Sequence, residues 1–99
     1  MSIFNNQIRK TLTASSGSAS DTFITHGICH QILVKPTTST TTYDFSLTDS
    51  GSIVVYESTD ETGTMNDFIT LPVSGNYTAS IANASVDEDF SVLIVVRNS

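Results

Sequence analysis

Residues 22–34 read TFITHGICHQILV, and the period of that run decides the fold. Taken two at a time, Ile24, His26, Ile28, His30, Ile32 and Val34 fall on one side of an extended chain, with Phe23, Thr25, Gly27, Cys29, Gln31 and Leu33 on the other. A repeat of two belongs to a strand, because helical faces recur at three and four residues. The run is expected to be one long strand, or two bent at Gly27, ended by Pro36, which cannot donate to a ladder.

The same period extends outward. Tyr43, Phe45 and Leu47 point one way, Asp49-Ser50-Gly51-Ser52 supplies turn chemistry, and Ile53 to Glu57 returns as a hairpin. Ser58 to Gly63 (STDETG) is expected as a second turn, followed by a strand in which Met65, Asp67, Ile69 and Leu71 share a face. After a turn over Pro72 to Gly75, Tyr77, Ala79 and Ile81 alternate again. Phe90 to Val96 is the most apolar stretch, as expected of a central strand or of an edge strand covered by a partner subunit. Such strands, joined by Gly, Pro, Asp and Ser, imply an all-β fold: a single antiparallel β-sandwich, jelly-roll or Ig-like, of about seven or eight strands.

Composition agrees with that class. Serine and threonine each occur fifteen times, charged residues make up 14%, and there is no tryptophan. At 99 residues the chain fits one domain. Its N-terminal part is less regular: Phe4, Ile8 and Leu12 recur every four residues, but Ser2, Thr11, Thr13 and two asparagines favour an extended arm over a helix. The expected division is residues 1–21 as arm and flexible polar segment, and 22–99 as the sandwich domain.

The formal charge of −6 leaves Arg9, Lys10, Lys35 and Arg97 as the only cations besides histidine, which argues against nucleic acid as a partner. No apolar run is long enough to span a membrane, and the first residues lack a charged leader before an apolar core. Cys29 is the only cysteine, so no internal disulfide is possible, and folding in a reducing cytoplasm is expected.

The stretch Thr25 to Ile32, THGICHQI, sets two histidines about a cysteine, but ligands four residues apart on a strand are separated by roughly 13 Å and cannot share one metal. His26 and His30 are expected to be buried or at a subunit interface, and Cys29 to be a small buried residue opposite them. The acidic loops Asp60-Glu61 and Asp87-Glu88-Asp89 suggest calcium only weakly, since neither has an EF-hand spacing. There is no Gly-x-Ser-x-Gly elbow and no phosphate-binding glycine loop. The expectation is a non-enzymatic protein without metal or cofactor.

The stretch Leu71 to Tyr77, LPVSGNY, is similar to the corner of Greek-key sandwiches, in which a tyrosine hydroxyl bonds an upstream backbone group. Leu71, Gly75 and Tyr77 match it. Through YDFSLTDSGSIVVYES and LPVSGNYTASI, the region Ile28 to Val96 resembles small virion proteins of tailed bacteriophages. That resemblance implies a structural protein of the virion, made in the host cytoplasm: a capsid decoration (cement) protein, or a neck or tail accessory. Such proteins are usually homo-oligomers, here with a trimer favoured, and the partner would be the major capsid protein or another virion protein. Contacts are expected from the arm residues Phe4, Ile8, Arg9, Lys10 and Leu12 and from His26 and His30. The alternative is a carbohydrate-binding or host-attachment module that stacks sugars on Tyr43, Tyr56 or Tyr77.

Overall fold

The computed structural model describes residues 4–98, with side chains over 6–97. Six strands run β1 Phe4–Thr13, β2 Ala19–Pro36, β3 Thr42–Asp49, β4 Val54–Thr62, β5 Met65–Ala82 and β6 Asp89–Asn98. They form one antiparallel sheet in the order β1-β6-β2-β5-β3-β4. The expected seven or eight strands reduce to six because β2 and β5 are 18 residues each and cover ground read as separate strands.

Pro72 and Gly75 do not make a turn. They lie inside β5, where residues 65–76 have β2 as their only strand neighbour, so a missing amide donor leaves no gap in a ladder on the other side. Gly75, at φ +109°, bends the strand there. STDETG likewise is mostly strand: β4 continues to Thr62 past Asp60, which takes φ +56° at a slip in register against β3.

The faces of β2 also differ from a single alternation. Phe23, Thr25 and Cys29 are buried, and after that Ile32 and Val34 are. Between Cys29 and Gln31 the register slips against both neighbours: His30 is an extra residue against β6 and faces two residues, Ile69 and Thr70, of β5, which exchanges the faces of β2.

The sheet folds over on itself. Three strand spacings separate β6 from β3, about 14 Å if flat, yet the Tyr43 and Phe90 rings meet edge-on with centroids 5.1 Å apart. The residues buried between the two halves include Leu12, Ile32, Val34, Phe45, Leu47, Ile81, Phe90 and Ile94. One half holds β1, β6 and the ends of β2 and β5 that face them; the other holds β3, β4 and the opposite ends of β2 and β5. Side chains join the halves at both flanks: Lys10 Nζ lies 3.2 Å from Asp21 Oδ2, and the Tyr56 hydroxyl donates to Asp67 Oδ2 at 2.7 Å.

The segment expected as an extended arm is an edge strand of its own sheet. From Phe4 to Thr13 it pairs with Asn98 to Asp89 of β6, and Leu12 is buried in the core at 2% exposure. The physical reason is the apolar β6, which requires a neighbour on each side and has one in its own chain. The boundary expected after residue 21 falls inside β2.

Candidate functional site

Most residues with chemical potential are committed to structure. Cys29 is fully buried, and burial pushes its thiol pKa up, which disfavours the nucleophilic thiolate. His26 is exposed on the other face, with Nδ1 3.1 Å from Ser74 Oγ. His30 sits in the bulge. Among the described residues, no three His, Cys, Asp or Glu side chains converge as metal ligands would.

The acidic segment Asp87-Glu88-Asp89 works as a clasp. Glu88 accepts the Thr38 amide at 2.9 Å and hydroxyls of Thr38 and Thr41 at 2.8 and 2.9 Å. Asp87 accepts the amides of Ser16 and Gly17 at 3.1 and 2.9 Å, and Asp89 accepts the Thr13 hydroxyl at 2.7 Å. Three consecutive carboxylates thus tie the β1–β2 and β2–β3 connections to the start of β6. The Thr38 amide, followed by the hydroxyls, holds the Glu88 carboxyl below its ordinary range. Asp44 is lowered the same way, first by the Asp60 amide and then by the Asn83 side chain.

The tyrosines are also occupied. Tyr43 is buried and donates to Gly63 O at 2.6 Å and Val34 O at 3.3 Å. Burial, and secondarily the charge of Glu61, push its hydroxyl up to about 12. Tyr56 leans on Phe45, with ring centroids 6.2 Å apart. Tyr77 stacks on Phe23 at 6.1 Å, and its hydroxyl accepts the Ser74 amide at 2.8 Å across the Gly75 bend. Tyr43 and Tyr77 are buried, and Tyr56 is half-buried. Leu71, the other residue of that corner, is half-buried against the core.

Of the expected contact residues, Ile8 packs partly on the core, and Arg9 is exposed with Nη2 donating to Gln7 Oε1 at 3.0 Å. The side chain of Phe4 lies outside the described residues. Arg9, Lys10 and Lys35 gather around a groove of about 460 Å³ floored by Leu33 and Leu93.

Among the described residues five large apolar side chains are exposed, Ile24, Ile53, Val54, Phe68 and Val86, and the two most exposed stand on the flanks. Ile24 and Phe68 are 68% and 71% exposed. The alternation that puts Met65, Ile69 and Leu71 inward already turns Phe68 outward, so its exposure was readable. That of Ile24 was not, because the bulge at His30 separates its face from that of Ile32 and Val34.

No family model matches this chain, and no curated protein matches it. Among solved structures, it superposes on the periplasmic inhibitor of g-type lysozyme PliG from Aeromonas hydrophila with a TM-score of 0.50 and 16% identity, covering 95% of this chain and 86% of that one. A carbohydrate-binding module, CBM36, solved with calcium and xylotriose, matches with a TM-score of 0.40 and 15% identity, over 96% of this chain and 88% of that one. At 16% identity the likeness to the lysozyme inhibitor is one of fold.

Proposed function

We propose that the chain is a non-enzymatic structural subunit of a phage virion, a decoration protein that works as a homo-oligomer on the major capsid protein or another virion protein. The observation that carries this reading is the division of labour among side chains. Histidine, cysteine, tyrosine and the clustered carboxylates are engaged in packing and hydrogen bonds, while large apolar side chains stand exposed beside strand edges that have no neighbour among the described residues. A protein so built has surfaces to join and little with which to do chemistry. The likeness of YDFSLTDSGSIVVYES and LPVSGNYTASI to small virion proteins supports the finer assignment.

Sugar binding is less well supported, since Tyr43, Tyr56 and Tyr77 are all packed or bonded. The test is to follow a tagged chain through an infection and band the particles on a density gradient. The chain is expected to band with the particles at a fixed stoichiometry; recovery only from the soluble fraction, with binding on a glycan array, would reverse the assignment.

A further inference from the structure

The two open flanks of the folded sheet differ in charge and shape in opposite senses. On one flank, among the described residues, β1 and residues 19–27 of β2 each have a strand neighbour on one side only. It carries Arg9 and Lys10 against one carboxylate, Asp21, and contains a hollow of about 540 Å³ lined by Asn6, Gln7, Ile8, Ile24, Thr25 and His26. On the other flank, β4 and residues 65–76 of β5 are equally one-sided. It carries Glu57, Asp60, Glu61 and Asp67 with no lysine or arginine between Val54 and Asn76, and it presents Phe68. One flank is a hollow between two apolar residues beside the basic residues of β1, the other an anionic surface with an apolar knob.

We infer that these flanks are the two halves of one interface, joining a second copy of this chain head to tail. Phe68 of one copy seats in the hollow between Ile8 and Ile24 of the next, and the carboxylates of the β4 flank face Arg9 and Lys10. The inference deepens the reading as an assembling subunit and rests on it. A second copy is the occupant because the chain itself supplies both complements: an exposed ring for an apolar-edged hollow, and four carboxylates for the basic edge. The register of β4 slips twice against β3, which denies a neighbour a long regular ladder at that strand. The contact is therefore made by side chains, supplemented by the free edges of β2 and β5. A head-to-tail contact uses two different patches, so it closes into a ring where the rotation permits and otherwise continues as a filament.

Sedimentation velocity of the full chain tests this, with Ile24→Ser and Phe68→Ser as variants. Both residues are exposed, so the variants are expected to unfold cooperatively like the parent, which circular dichroism checks. The unaltered chain should sediment as an oligomer that loosens as salt is raised, and each variant alone should associate roughly ten- to a hundredfold more weakly, the worth of one buried large apolar side chain. An equimolar mixture of the two variants should form 1:1 dimers, because Phe68 survives in one and the hollow in the other. No dimer on mixing would overturn the head-to-tail pairing. An oligomer indifferent to both substitutions would overturn the interface while leaving the assembling subunit in place, and a monomeric parent chain would remove both.

Discussion

Glu88 accepts three hydrogen bonds within one connection, and its role explains why a run of acids here is not a surface ornament. Because its folded pKa is depressed below the ordinary 4.5, the stability it contributes is whole above that value and is lost as the pH falls through the lowered folded one. Glu88→Gln should lower the thermal midpoint at neutral pH and flatten this part of the acid limb, as read by circular dichroism. Tyr43 gives the opposite sign. Its folded pKa is raised from 10.0 to about 12, so its contribution is present below 10 and is lost as the pH rises toward 12. Tyr43→Phe should cost about 1–2 kcal/mol in denaturant unfolding, by leaving Gly63 O and Val34 O without the hydroxyl. Neither partner set was legible in the sequence, since the donors to Glu88 lie some 50 residues away and meet it only once β2 pairs with β6.

At the scale of the element, strand identity was legible and strand geometry was not. The period of two located β2, β3 and β6, and Pro36 marked the end of β2. The exchange of faces at His30 depends on how β6 and β5 pair with β2, which no local pattern encodes. Pro72 and Gly75 carry turn chemistry but sit where β5 is one-sided, and there a sheet tolerates them as a bend. The two bend glycines should therefore respond differently to substitution. A methyl at Gly27, at φ +137°, would meet Arg97 O at 2.5 Å, and Gly27→Ala should cost about 3 kcal/mol. At Gly75 nothing lies within 4 Å, and the strain at φ +109° alone should cost about 1–2 kcal/mol. Equilibrium unfolding of both variants checks the order. The N-terminal strand differs from the expected arm because its apolar spacing does not reveal whether the partner edge belongs to its own chain. Leu12→Ala should cost about 2–4 kcal/mol even at dilutions where only monomer is present; a loss that vanishes on dilution would return the strand to a neighbouring subunit.

For the whole molecule, charge is sorted by half rather than scattered. Arg9, Lys10, Lys35 and Arg97 all lie on β1, β6 and the end of β2 that pairs with β6, while the β4 flank holds carboxylates alone. Net charge was legible in the sequence, but this separation was not, because it arises from the order β1-β6-β2-β5-β3-β4. The same order leaves the exposed Ile24 and Phe68 on opposite flanks. The proposed head-to-tail contact, and with it the proposed role on a virion shell, rests on this polarity. Electron microscopy of the intact particle tests that account most directly. It predicts symmetric clusters of a six-stranded β subunit on the shell, joined flank to flank through Phe68; a particle in which no density accommodates this chain would contradict it.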